Sequence, residues 1–365
     1  MEHKTRIKGN VHYVGVNDRN KHRFEGMWPL PYGVSYNSYL IDDEMVALVD
    51  TVDICYFEVY LRKIKQVIGE RPINYLIINH MEPDHSGSIR LIKQHYPEII
   101  IVGNKQTFGM IEGFYGVTGE QYLVKEGDFL ALGHHKLRFY MTPMVHWPET
   151  MMTFDETDGV LFSGDGFGCF GTVDGGFLDT RINVDKYWGE MVRYYSNIVG
   201  KYGSPVQKAL QKLGGLPISA ICSTHGPVWT ENIAKVIGIY DRLSRYDADE
   251  GVVIAYGSMY GNTEQMAEAI AEELSAQGVK NIVMHNVTKS HPSYIIADIF
   301  RYKGLIIGSP TYSNQIFPEV EALLSKILLR EVKGRYLGYF GSFTWAGAAV
   351  KRLAEFAEKS KFELV

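Results

Sequence analysis

The chain has 365 residues, 45% of them apolar and 22% charged, with a formal net charge of −5. At about 150 residues per domain, this length exceeds one ordinary core and predicts two. The mild acidity argues against the basic face of a nucleic-acid binder, and no apolar run reaches the ~18 residues of a membrane span. The opening MEHKTRIKGNVHY has no apolar core and does not read as a signal peptide. Cys55, Cys169 and Cys222 are odd in number and far apart, which fits a reducing cytoplasm and gives no disulfide framework. No Cys-x-x-Cys pair offers an iron–sulfur or single-iron thiolate module.

Up to about residue 248 the pattern is β-rich with interspersed helices. GVSYNSYLI (33–41) and MVALVDT (45–51) predict two strands separated by the acidic turn DDE. INYLIIN (73–79) reads as a buried strand, and SIRLIKQHY (88–96) after it has helical spacing. EIIIVGN, KLRFYMTPMV, TMMTFDE and GVLFSGD are further strands, and ISAICSTHG (218–226) is the last. From Gly251 the rhythm changes to strict alternation. GVVIAYGS, NIVMHNV, GLIIGSP and YLGYFGS are strands; TEQMAEAIAEELSAQG, PSYIIADIFRY, PEVEALLSKILLR and AGAAVKRLAEFAEKS are helices, the first ending at a capping glycine. Such alternation predicts a parallel doubly wound sheet. YDRLSRYDADEG (240–251) is the expected join, which gives domains 1–248 and 251–365. The closing KFELV reads as the opening of a fifth strand.

NHMEPDHSGS (79–88) packs His80, Glu82, Asp84 and His85 just past a buried strand. His146 follows the strand ending TPMV, Asp165 follows GVLFSG, and His225 follows ISAICST. Any one of these histidines, taken singly, is more often a solvated or capping group. Seven ligand-type residues, each just beyond an apolar strand, instead predict convergence on one rim of a sandwich. The other histidines of this half lack this placement: His134 and His135 lie in a turn, and these two with His3, His12, His22 and His95 read as solvated or structural. The donor set is oxygen-rich and mixed with imidazole, which suits redox iron better than zinc. Asp165 has two oxygens and can bridge two ions. Gly166, Gly168 and Gly171 form a Gly-x-Gly-x-x-Gly pattern, but GCFGTVDGGFLDT has no helical periodicity and fails the dinucleotide fingerprint.

YGSMYGNTEQM (256–266) follows the first strand of the second half and opens its first helix. Ser258, Tyr260 and Thr263 offer hydroxyls beside Met259, while Gly257, Gly261 and Asn262 allow close backbone approach. Main-chain N–H groups at a helix N-terminus cradle phosphate, and without a lysine there a nucleoside triphosphate is not expected. GSPTYSNQIFP (308–318) and GSFTWAGAA (341–349) follow the third and fourth strands. Open α/β sheets bind ligands at that edge. Tyr312 and Trp345 can flank a flat ring. The backbone groups of Ser309, Pro310, Thr311, Ser313 and Asn314, and of Ser342, Phe343 and Thr344, can bond its edge. This half resembles flavodoxin, and three loops on one edge imply FMN.

His-x-x-x-Asp-His opening a helix, followed by distant His, Asp and His, resembles the metallo-β-lactamase superfamily. Its hydrolases usually carry His-x-His-x-Asp-His and two zinc ions; Glu82 replaces the second histidine here. HMEPDHSGS, VHWPETM, FSGDGFG, STHGPVW, YGSMYGNTE, GSPTY and GSFTWAG together resemble the flavodiiron proteins over nearly the whole chain. The resemblance implies an αβ/βα sandwich joined to a flavodoxin-like sheet that is incomplete in its fifth strand, which puts FMN retention in question. It implies two non-haem irons: one on His80, Glu82 and His146, nearer the flavin, and one on Asp84, His85 and His225, with Asp165 bridging. The family varies in whether the equivalent of His85 reaches iron. Tyr195, in VRYYSNIV, matches a family tyrosine near the pocket. The implied activity is reduction of O2 to water (four electrons) or of NO to N2O (two), fed by an external donor such as rubredoxin. A head-to-tail homodimer, or a dimer of dimers, is the implied assembly. The alternatives are a di-zinc hydrolase with a flavodoxin appendage and an electron-transfer flavoprotein with a vestigial metal domain.

Overall fold

The computed structural model describes residues 5–365, so His3 and the first residues of MEHKTRIKGNVHY lie outside them. Two compact units form. Among the described residues the first comprises 5–191 with Ser204–Asp241, the second Val192–Gly203 with Arg242–Val365.

In the first unit, a seven-stranded sheet runs Arg6–Lys8, Val11–Tyr13, Tyr39–Ile41, Ala47–Val49, Tyr75–Ile77, Ile100–Gly103 and Gln121–Leu123. From Ala47–Val49 onward its strands are parallel. Parallel strands need long crossovers, and helices Phe57–Ile68, Ile89–His95 and Lys105–Tyr115 supply them. Phe57, Tyr60, Leu61, Ile64 and Ile68 give the first of these a single buried stripe. A five-stranded sheet runs Phe129–Ala131, Lys136–Met141, Met151–Asp155, Val160–Gly164 and Ala220–Ser223. One core joins the sheets: Val49, Ile77 and Val102 of the first pack with Phe139, Met151, Phe162 and Cys222 of the second. This is a sheet-on-sheet sandwich.

GVSYNSYLI does not form one strand. Val34–Tyr36 pairs with Val16–Asp18 in a separate two-stranded sheet, while Tyr39–Ile41 joins the seven-stranded one. The break falls where the Asn37 amide donates to the carbonyls of Ser223 (2.9 Å) and Gly226 (2.8 Å), which pulls the chain out of register. KLRFYMTPMV likewise stops at Met141. Past Gly166 no helix opens before Asp185–Tyr194 beyond the three-residue turn Asp179–Arg181, so the glycine pattern there is a loop.

In the second unit all five strands of the main sheet are parallel, in the order Ile282–Asn286, Asp249–Tyr256, Tyr302–Tyr312, Tyr336–Ser342, Glu363–Leu364. Helices Asn262–Ala276, Pro292–Arg301, Pro318–Arg330 and Ala348–Ser360 alternate with them. The order reverses between the strands Asp249–Tyr256 and Tyr302–Tyr312, which makes their carboxyl ends the switch point where ligands bind. The expected split at 248 differs from the observed division because residues 192–203 group with this unit. Asn197 donates to the Ser293 carbonyl (3.0 Å), and a side chain at Gly200 would strike the Phe300 ring.

Arg335 is 2% exposed, yet its guanidinium binds only backbone carbonyls. It donates to Ile299 (2.7 Å) and Phe300 (2.8 Å) in the last turn of Pro292–Arg301, and to Tyr246 (2.8 Å). Removing it leaves buried carbonyls without donors, at ~1–3 kcal/mol each before relaxation. Arg335→Met is expected to destabilise this unit by about 2–4 kcal/mol. Hydrogen exchange should report it as faster exchange across Pro292–Arg301, and unchanged exchange there contradicts the role.

Candidate metal centre and flavin site

The strand Tyr75–Ile77 delivers the first four ligand-type residues. Glu82 is extended (φ −60°, ψ 134°) and precedes the short helix Pro83–Ser86, which Pro83 opens. That turn points Glu82, Asp84 and His85 inward, and Thr51 pins it by donating both N–H (2.8 Å) and Oγ1–H (2.9 Å) to the His85 carbonyl. Gly164 ends its strand at φ 54°, a left-handed turn that an L side chain disfavours. Asp165 follows it into the pocket.

All seven predicted side chains meet there, none more than 8% exposed. His146 Nε2 lies 3.1 Å from both Glu82 Oε2 and Asp165 Oδ2, and 3.4 Å from His80 Nε2. On the other side His85 Nε2 is 3.3 Å from Asp165 Oδ1, and His225 Nε2 is 3.2 Å from Asp84 Oδ2 and 3.5 Å from Asp165 Oδ1. Asp165 thus stands between two groups of donors, one oxygen toward each.

Supporting side chains hold the donors in place. Asp50 accepts the Asn79 N–H (2.8 Å) and amide (3.0 Å), and Thr153 donates to Asn79 Oδ1 (2.8 Å). Thr224 Oγ1 donates to Asp165 Oδ1. Nδ1 of His225 faces the Ser35 carbonyl (2.8 Å), and Nδ1 of His80 faces Glu149 Oε1 (2.6 Å). In VHWPETM the pattern of ligand-type residues after strands singles out only the histidine. The one local hint of Glu149 is that it is the acidic residue of that loop, three places after His146.

Burial alone pushes the Glu82 and Asp165 carboxyls up, but the imidazoles around them hold both well below the usual carboxylate range. Burial pulls His85 down, and Asp84 and Asp165 more than offset it, raising the imidazole to about 10. Both Asp84 oxygens and His85 Nε2 are buried and make no hydrogen bond. Groups of this kind are costly in a folded interior unless a cation joins them. The residues therefore fit a metal pair. Three carboxylates and four imidazoles, with no thiolate in the group among the described residues, fit iron. A cavity of about 430 Å³ reaches Glu82 and Asp84 past Phe24, Tyr115, Lys21 and Arg90.

The second unit carries a cavity of about 380 Å³ at the switch point, lined by all three predicted loops. Ser258, Met259, Tyr260, Asn262 and Thr263 come from the first, and Pro310, Thr311, Ser313 and Asn314 from the second. Ser342, Phe343, Thr344, Trp345 and Ala346, the last not expected, come from the third. Gly261 (φ 89°) turns the chain into the helix whose first N–H groups face the cavity edge. Thr263 Oγ1 and Ser342 Oγ, 2.9 Å apart, tie two loops together. Tyr260, Phe343 and Trp345 are 90%, 60% and 83% exposed, an open apolar rim that fits a flat aromatic ring. Gly261, Ser309 and Tyr312 do not line the cavity. Ser309 is buried in its strand, and Tyr312 packs edge-on against Phe317 at 6.3 Å.

Residues 34–226 match the ODP family beta lactamase profile, and residues 254–365 match flavodoxin. The anaerobic nitric oxide reductase flavorubredoxin of Vibrio vulnificus (strain YJ016) is 33% identical over 353 residues, 95% of this chain and 71% of that protein. The chain belongs to the flavodiiron proteins. Two solved structures match this flavodiiron fold with TM-score 0.93. The rubredoxin oxygen:oxidoreductase of Desulfovibrio gigas does so at 31% identity, covering 97% of this chain and 89% of its own. The flavodiiron protein of Giardia intestinalis does so at 28%, covering 97% and 87%. Flavodiiron proteins carry a non-haem di-iron site and FMN, and the two donor sets above fit those groups. The comparisons do not favour the hydrolase alternative.

Tyr195 of this flavodiiron chain falls in the π-helical turn Tyr195–Val199, in the second unit, with its ring edge-on to Phe300 at 6.2 Å. His135, read as solvated or structural, is 1% exposed, with Nδ1 2.9 Å from Asp155 Oδ2.

In the metal-free fold, protons occupy imidazoles that a metal must take, so binding releases protons. Because His85 titrates near about 10, Mn²⁺ affinity should still be rising between about pH 7.5 and 9, where ordinary histidines are already neutral. Anaerobic calorimetric titration of the apoprotein checks this, and a plateau at about pH 7.5 contradicts it.

Proposed function

We propose that this flavodiiron protein reduces O2 to water, NO to N2O, or both, with electrons passed through FMN from an external donor. The observation that carries this reading is Glu82, whose Oε2 lies 3.1 Å from His146 Nε2 inside a seven-residue cluster, where a di-zinc hydrolase would place an imidazole. The assigned ligands are His80, Glu82 and His146 on one side, Asp84, His85 and His225 on the other, and Asp165 between. When bound, the irons and the flavin supply the four electrons that O2 takes, or the two taken by a pair of NO molecules.

The chain's own residues shape the approach and supply protons. Phe24 and Tyr115 narrow the cavity above Glu82 and Asp84 to a partly apolar passage that suits a small neutral gas. Lys21 Nζ and Asp53 Oδ2, 3.2 Å apart at its mouth, can hand on the protons that both reductions consume. Ser258 to Thr263 would hold the FMN phosphate at the helix N-terminus, and Tyr260 and Trp345 would border the ring. A separate rubredoxin-like protein is the proposed donor. A cytoplasmic setting agrees with three free cysteines and with the absence, among the described residues, of any helix long and apolar enough to cross a membrane. The proposed assembly is a head-to-tail homodimer, one subunit's FMN beside the partner's irons.

Anaerobic stopped-flow of the reduced, iron- and FMN-loaded protein, mixed separately with O2 and NO, tests the activity. Flavin reoxidation coupled to loss of at least one gas is expected, and Asp165→Ala should slow it by more than about 100-fold. Inertness to both gases sinks the reading. For the assembly, Asp165→Ala protein is mixed with Ser258→Arg protein, whose long side chain fills the flavin cavity. A head-to-tail dimer regains activity in the mixed species, because the good flavin meets the good irons. Electron transfer within one chain leaves the mixture dead.

A further inference from the structure

We propose that Glu149 is a positioning residue for one half of the metal pair: its carboxylate fixes His80 with Nδ1 as donor and Nε2 as ligand, and makes the ion on His80, Glu82 and His146 the more tightly held. This rests on the di-iron reading above.

Glu149 is fully buried, and its Oε1 accepts from His80 Nδ1–H at 2.6 Å and from the Met81 N–H at 2.9 Å. Its backbone is fixed as well. Asn104, which caps helix Lys105–Tyr115 through Oδ1, donates its amide to the Glu149 carbonyl at 2.6 Å. The carboxylate therefore cannot swing away from the imidazole. His146 and Glu149 share the loop VHWPETM, so one loop supplies a ligand and the support for another.

In the other half the contacts described behind the imidazoles involve no such carboxylate among the described residues. His225 gives its Nδ1–H to a neutral carbonyl, that of Ser35, at 2.8 Å. His85 Nδ1 is buried and makes no hydrogen bond. Within the ligand set the halves are matched: each has two imidazoles and one carboxylate of its own, and they share Asp165. Glu149 breaks that balance by a direct hydrogen bond to a ligand imidazole, whereas buried Asp50 acts on His85 only through space. A carboxylate behind a ligating imidazole fixes its tautomer and ring plane and strengthens it as a donor, and loss of such a partner typically costs 10–100-fold in metal affinity. Its negative charge, buried about one imidazole width from the ion, adds attraction that the Ser35 carbonyl cannot match.

The test is release of iron from the anaerobically reduced holoprotein to a ferrous chelator, counted in moles per chain. The wild type should give two phases of unequal rate. Glu149→Gln keeps the shape and an acceptor for the Met81 N–H but removes the charge, and it should speed the slow phase by 10–100-fold while leaving the fast phase alone. Glu149→Asp keeps the charge and should restore part of the slow phase, whereas a merely structural role predicts that Gln, the better isostere, is the milder change. Asp84→Asn should speed only the fast phase. Equal acceleration of both phases in Glu149→Gln, or none, overturns the inference. A wild type that holds fewer than two irons overturns the di-iron reading first.

Discussion

Three carboxylates and four imidazoles occupy one pocket of the first unit, where none is more than 8% exposed. Buried charge is stable only when paired. Here the imidazoles can serve as partners only by holding protons, which is why Glu82 and Asp165 sit low and His85 sits high. Two divalent cations satisfy the same carboxylates and release those protons. The rest of the unit is built around that requirement. Four strand ends deliver the donors, a proline-opened helical turn aims three of them, and Asp50, Asn79 and Thr153 lock the strand end from which they hang.

The second unit meets a different requirement with less burial. A flavin needs a phosphate cradle, a flat slot and an exposed edge for electron exchange. The helix N-terminus after Gly261, the loops after the third and fourth strands, and the open rim of Tyr260, Phe343 and Trp345 provide these in order. An apolar rim left this exposed suits an electron-transfer surface, because the ring must be reachable from outside its own unit.

The cluster of seven was legible because its members sit in the loops and turns that follow apolar strands, from Asp165 directly after Gly164 to His146 five positions past Met141. The flavodoxin-like half was legible for a related reason: strand and helix periods alternate without interruption from Gly251 onward. What sequence did not reveal depends on distant partners. Glu149 binds a histidine 69 positions away, and Asn37 breaks its strand to reach a carbonyl 186 positions away. The grouping of residues 192–203 with the second unit rests on contacts about 100 positions off, such as Asn197 with Ser293. No local pattern encodes these.

The central claim is that a pair of irons, and no other metal, balances this cluster. Elemental analysis with Mössbauer spectroscopy of protein produced in iron-57 medium tests it most directly. The account predicts two irons per chain, coupled through the shared carboxylate, in two unequal environments. Zinc in their place, or a single uncoupled iron, would contradict it.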